Sequence, residues 1–248
     1  MKNYFNLANY FYDVSNLYKD EIALRYNNKE ITYDQLNKLS NQIAHYFLYK
    51  GIRAYDVVGI FNTKEYIGYA CMLACLKIGA TYTNIDRENP IKRLEKILIT
   101  SETKLLVSDH SSSELISNAA KNLNLELIDL TNDKIFDSFD KFDLEVSTNI
   151  IGSTPAYIMF TSGSTGIPKG VTISHANILS FLGWSIDRYK INYNDIFAQV
   201  SPMYFDNSVF DFYTSLFSGA SLVPIKKEVT TNIPELIDLV DSLNCFPF

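Results

Sequence analysis

Residues 157–175 read YIMFTSGSTGIPKGVTISH. The apolar run Tyr157 to Phe160 predicts a buried strand, and Val171 to Ile173 predicts a second. Between them, Thr161 to Gly170 is a loop rich in Gly, Ser and Thr. Its glycines let the backbone turn sharply and approach a ligand closely. Successive backbone N–H groups in such a turn form a nest for an anion. The hydroxyls of Thr161, Ser162, Ser164 and Thr165 add donors for phosphate oxygens, and Lys169 adds a point charge. The loop is suited to a polyphosphate. It is not a Walker A loop, which needs Gly-Lys-Ser/Thr five positions after its first glycine. Pro168 stands five positions after Gly163, and Gly170 follows Lys169. A flexible linker would not need Lys-Gly after Pro, nor a strand on each side.

Outward from the loop, helix-like and strand-like patterns alternate. Thr32 and Gln35 form a T-x-x-Q capping box ahead of Leu36, Leu39, Ile43 and Phe47 at helical spacing, with Gly51 as a stop. Strands are predicted at 57–61, 82–85, 105–107 and 125–130, and helices at 66–78 (closed by Gly79), from Pro90 onward, and at 113–123. After the loop, Ser174 caps a helix over 176–189. A strand at 196–200, a helix at 208–217, a strand at 221–225 and a helix at 234–243 follow. Repeated β-α-β units imply an α/β fold of layered, mostly parallel sheets with helices on both faces. Residues 131–150 are polar and acidic and read as a surface connection. They divide a first α/β portion, 1–150, from a loop-bearing portion, 151–248. The apolar end Cys245–Phe248, where another strand is due, reads as a cut end.

Composition narrows the partners. The hydrophobic share of 47% and charged share of 20% are those of a soluble globular domain. A net charge of −6 without a basic stripe argues against nucleic acid. No apolar stretch reaches the roughly 18 residues of a membrane span, and the start lacks a signal peptide's apolar core, so a cytoplasmic location is expected. Cys71, Cys75 and Cys245 suggest packing rather than disulfides, and His45, His110 and His175 have no metal-site spacing. His175 reads as a helix-start residue. Asp211 reads as a solvated or capping group, and Asp86, Arg87 and Glu88 as surface charges.

The segment 157–175 closely resembles the phosphate-loop motif of the adenylate-forming superfamily, which includes acyl-CoA synthetases, luciferases and the adenylation domains of nonribosomal peptide synthetases. ITYDQLNKLSNQIAHYF resembles the family's first conserved helix, and LKIGATYTNIDRENPIKRLEKIL its next motif, in the family's order. Asn84 and Arg87 stand where that motif usually has proline. SPMYFDNSVFDFYTSLFSGASLVPI resembles the aspartate-containing motif of amino-acid-activating members, most like D-alanine–carrier protein ligases, with peptide synthetase domains close behind. The resemblance implies that Asp206 pairs with the substrate's α-ammonium group, and that Asn207 and Phe210 line its side-chain pocket. Read without it, Asp206 is equally a helix N-cap and Phe210 plain core.

The implied reaction is attack of an amino-acid carboxylate on the α-phosphate of ATP, with Mg²⁺, giving an aminoacyl adenylate and pyrophosphate. A carrier-protein phosphopantetheine thiol would take the aminoacyl group. Thr161, Ser162, Gly163, Ser164, Thr165, Gly166 and Lys169 would grip the phosphates. The family's adenine loop with its magnesium-binding Glu, its ribose-binding Asp and its C-terminal domain with the catalytic Lys have no counterpart in 226–248. The chain therefore reads as the N-terminal part of such a domain, with no catalytic or metal-ligating residue of its own and little or no activity alone. Fatty- or aryl-acid activation of the acyl-CoA synthetase type is the alternative chemistry, and a non-catalytic nucleotide- or partner-binding remnant the alternative role.

Overall fold

The computed structural model describes residues 4–26, 29–110, 112–144, 149–161, 168–243 and 245. The chain opens with α1 (Leu7–Leu17), β1 (Ile22–Tyr26), β2 (Lys29–Thr32) and α2 (Tyr33–Tyr49). Then follow β3 (Val57–Phe61), α3 (Tyr66–Ile78), β4 (Thr81–Asn84), α4 (Ile91–Thr100), β5 (Thr103–Ser108), α5 (Glu114–Asn122) and β6 (Glu126–Asp129). A 3-10 turn at Asp133–Phe136 leads to β7 (Pro155–Thr161), β8 (Lys169–Ser174), α6 (His175–Tyr189), β9 (Ile196–Gln199) and α7 (Asn207–Leu216). The last elements are β10 (Ser221–Pro224), the single turn α8 (Lys227–Thr230) and α9 (Ile233–Leu243).

Local chemistry explains the main boundaries. Thr32 accepts from the Gln35 N–H while the Gln35 side chain accepts from the Thr32 N–H, the reciprocal cap read from the sequence. Ser174 and Asn177 cap α6 in the same way. Gly79 ends α3 at φ +72, and the Ala80 N–H reaches back to the Cys75 carbonyl. Helix α3 is buried over nearly its whole circumference, which is why it is apolar and small and carries Cys71 and Cys75 as packing residues.

Two sheets form. The larger has the order β6-β5-β3-β4-β7-β8 and is parallel except for β8, which runs antiparallel to β7. The smaller has the order β2-β1-β10-β9, with only β2 antiparallel. Each takes strands from both sides of residue 150. The largest core cluster runs through α1, α2, α3 and α7 and joins side chains of both sheets, among them Val58, Tyr82 and Tyr157 of one and Leu24, Phe197 and Leu222 of the other. Helices α4 and α5 cover the opposite face of the larger sheet through Leu94, Ile97 and Ile116. The smaller sheet packs α9 against Ala198 and Val223. Helices thus cover both faces of layered, mostly parallel sheets.

The connection 131–150 is more than surface. Phe136 is fully buried, and Asp143 accepts from the amides of Asn37 and Asn41. Those two residues also receive the buried Lys77 ammonium, whose pKa burial pushes down to about 7. A polar segment therefore closes over α2 by satisfying polar groups inside it, which hydrophobic periodicity does not register.

Candidate active site

The strands β7 and β8 of the larger sheet flank the segment read as a phosphate loop. Thr161 and Lys169 face each other as the last pair of the β7–β8 ladder, so a hydroxyl and an ammonium-bearing residue stand side by side at the loop's mouth. Both are exposed. Ser162, Gly163, Ser164, Thr165 and Gly166 lie outside the described residues.

Beyond the carboxyl ends of β4 and β7, where open α/β sheets take ligands, a cleft of about 490 Å³ opens. Its apolar wall is made by Ile85, Ile97, Met159 and Phe160. Its polar groups come from three directions. Asn84 ends β4 and Asp86 and Asn89 follow it, Arg93 projects from α4, and Tyr204 and Asp206 lie in the segment before α7. Thr161 lines the same cleft. The fold thus brings together two sequence-predicted residues 45 positions apart, Thr161 and Asp206. Lys169, Asn207 and Phe210 are not among the lining residues.

Asp206 stands at the N-cap of α7, exposed, its carboxylate accepting from the Asn207 N–H at 3.0 Å. It therefore caps a helix and lines the cleft at once. Asn207, the first residue of α7, is exposed. Phe210 is half-buried in an aromatic group with Phe181, Tyr189 and Phe197.

Two charged groups depart from their sequence reading, and a third had none. Asp211 is buried at 5% exposure rather than solvated, and burial pushes its carboxyl up to about 7, with Lys64 opposing. Asp86 lines the cleft and takes the Tyr204 hydroxyl. Burial first, then this carboxylate, push the Tyr204 pKa up to about 12. Lys64 was not singled out at all. It is buried, and its ammonium donates to the carbonyls of Gln199 (2.9 Å), Val200 (2.8 Å) and Ile225 (2.7 Å). Burial pushes it down to about 8. Lys64 therefore clamps the carboxyl ends of β9 and β10, and the segment carrying Asp206 departs from β9. The loop holding Lys64 is fixed in turn by Asp109, which accepts from the Thr63 N–H and hydroxyl and the Glu65 N–H. The only sequence signal was a lysine three positions after an apolar strand.

His175 begins α6, as read, and it is also a core residue. It is fully buried, and its Nδ1 accepts from the Leu7 N–H at 2.9 Å. Burial pushes its pKa down to about 4, so the ring stays neutral and structural.

The described residues fit a nucleotide's phosphates better than a metal. Thr161 and Lys169 offer a hydroxyl and a cation at the loop's mouth, and Arg93 adds a guanidinium in the cleft. Among the described residues no three His, Cys, Asp or Glu side chains converge to hold a metal ion. Among them, too, no helix is long and apolar enough to cross a membrane.

Comparison with known proteins agrees with this geometry. The family model described as AMP-binding enzyme matches residues 11–246. Tyrocidine synthase 1 of Brevibacillus parabrevis is 29% identical over 88% of the chain, and bacitracin synthase 1 of Bacillus licheniformis 34% identical over 89%. The chain spans 20% and 4% of their respective lengths. Among solved structures, the N-terminal subdomain of Klebsiella oxytoca NpsA in complex with 3-hydroxybenzoyl-AMSN superposes with a TM-score of 0.80 at 22% identity. That match covers 98% of this chain and 59% of the other, and at that identity it speaks for the fold. A match to the family model over nearly the whole chain, on the fold of that subdomain and with Thr161 of the motif at an open cleft, makes this chain a member of the AMP-binding, adenylate-forming enzyme family.

Proposed function

We propose that the cleft binds ATP and an amino acid and that the protein activates the amino acid as an aminoacyl adenylate. The observation that carries this reading is that Thr161, which opens the phosphate loop, and Asp206 line one cleft at the carboxyl ends of parallel strands. Asp206 would hold the substrate's α-ammonium group in a charge-assisted hydrogen bond. A fatty acid would leave that carboxylate without a cation. The loop from Thr161 to Lys169 would bind the β- and γ-phosphates. The substrate carboxylate would then attack the α-phosphorus, forming the acyl–phosphate bond as the bond to pyrophosphate breaks. These groups work by positioning and by stabilising developing charge. Magnesium would enter with the nucleotide phosphates. A carrier-protein phosphopantetheine thiol is the proposed acceptor, and Asn207 and Phe210 are proposed to shape the side-chain pocket.

ATP–pyrophosphate exchange tests this reading, run on the chain at high concentration with L- and D-amino acids and with fatty and aryl acids as controls. The expected result is slow exchange dependent on an uncharged amino acid, reduced at least 10-fold by Asp206→Asn. Exchange that prefers a fatty or aryl acid, or that is indifferent to Asp206→Asn, would contradict the amino-acid reading. No exchange with any acid would contradict catalysis by this chain and favour a binding role.

A further inference from the structure

We propose that Arg93 is the anion-binding residue of the cleft and receives the terminal phosphates of the nucleotide, an assignment that rests on reading the cleft as the ATP site. Arg93 is half-buried in the cleft wall. Its Nε donates to the Asn89 side-chain oxygen at 3.0 Å, and the buried Asn89 amide is itself fixed on the Asp86 carbonyl at 2.9 Å. The guanidinium is therefore held by one edge. Among the described residues nothing accepts from its two terminal amino groups, and Arg93 takes part in no ion pair. The nearest acids in sequence are engaged elsewhere: Glu95 accepts from the Asn122 amide, Glu88 pairs with Lys227 and Asp86 takes the Tyr204 hydroxyl.

The helix does not explain this residue. A cation in the first turn works against the helix dipole, and the first turn of α4 holds no acidic residue to offset it. What the arrangement leaves is a planar fork of N–H donors, anchored by a second residue and open to the cleft. That geometry matches two oxygens of one phosphate or of adjoining phosphates. Asp206 lines the same cleft and disfavours an anion beside it. The cleft is thus bipolar, with phosphate directed to the Arg93 and Thr161 wall and ammonium to the start of α7.

Calorimetric titration of the chain with inorganic tripolyphosphate tests this, comparing wild type with Arg93→Gln, Arg93→Lys and Lys92→Gln. Lys92 is the exposed neighbour in the same turn and controls for general charge. The expected result is binding by wild type that is weakened 10-fold or more in Arg93→Gln, less in Arg93→Lys, and within 2-fold of wild type in Lys92→Gln. Equal losses in Arg93→Gln and Lys92→Gln, unchanged affinity in Arg93→Gln, or no binding by wild type would each overturn the proposal. Equal thermal midpoints exclude misfolding of the half-exposed variants. The two readings fail separately. Arg93-dependent tripolyphosphate binding without amino-acid-dependent exchange keeps the anion site and rejects adenylation. Exchange with an unchanged pyrophosphate KM in Arg93→Gln keeps adenylation and rejects the site.

Discussion

His175 shows how a residue's surroundings decide its role. Its Nδ1 accepts from a backbone N–H, so the ring must be neutral where it sits, and burial lowers its pKa to about 4. The unfolded chain takes up a proton near pH 6.5, the folded chain only near 4. Between those values the unfolded state binds more protons, so this residue's contribution to stability rises with pH across that window and is complete above it. The total is on the order of 3 kcal/mol. His175→Phe should lose about 1–3 kcal/mol at pH 7 through the orphaned Leu7 N–H. Urea denaturation at pH 4.5 and pH 7 should show the gap to wild type shrinking in acid, and a constant gap would contradict the assignment. The place of His175 at a helix start was legible from the Ser174 cap, whereas its burial and neutrality were not. Asp211 and Lys64 were not legible. A single charge gives no periodic signal, and its burial is decided by residues more than a hundred positions away.

At the scale of elements, local chemistry carried most of the reading. The cap of α2, the glycine stop of α3 and the strands around the phosphate loop form where composition placed them. Thr32→Ala should cost about 1 kcal/mol, a fall in Tm of roughly 2–4 °C by calorimetry. The segment before Thr32 gave no such signals. Strand β1 pairs in parallel with β10, Leu24 opposite Leu222, so its partner is at the far end of the chain. A short strand defined by that partner carries little local pattern. The same contact region makes Gly219 sensitive. It has φ +87, and a Cβ there would meet the Tyr18 ring at 2.5 Å. Tyr18 is itself stacked on Tyr193. Gly219→Ala should therefore lose about 2–4 kcal/mol from backbone strain and overpacking, lowering Tm by roughly 5–15 °C.

For the whole molecule, alternation predicted layered parallel sheets and the model has them, but the division into two sheets depends on long-range pairing. Lys64 links the two by donating from the loop after β3 to the ends of β9 and β10. Lys64→Met removes the donor for three carbonyls and the nearby charge that opposes the rise of the Asp211 pKa, a loss of about 3–5 kcal/mol. The pH dependence separates this pair from the rest. The Asp211 carboxyl is raised to about 7, so the folded state holds the extra proton and stability falls as pH climbs from about 4 to 7. Lys64 is lowered to about 8, so the unfolded state holds the extra proton and stability recovers between about 8 and 10.5. Wild type minus the double variant Lys64→Met/Asp211→Leu should therefore be smallest near pH 7–8 in denaturant titrations, and a flat difference would contradict the buried pair. Of the candidate site, Thr161 and Asp206 could be picked out in the sequence, and both line the cleft. The site was not legible in its shape, because Asp86, Arg93 and Tyr204 reach the cleft from elements that meet only in the fold. The most direct test of the central claim is a map of backbone amide NMR shifts as the chain is titrated with ATP and a pool of amino acids. The account predicts that shifts concentrate at Asn84, Arg93, Thr161, Tyr204 and Asp206. Shifts confined to another surface, such as α9, with the cleft unmoved would contradict it.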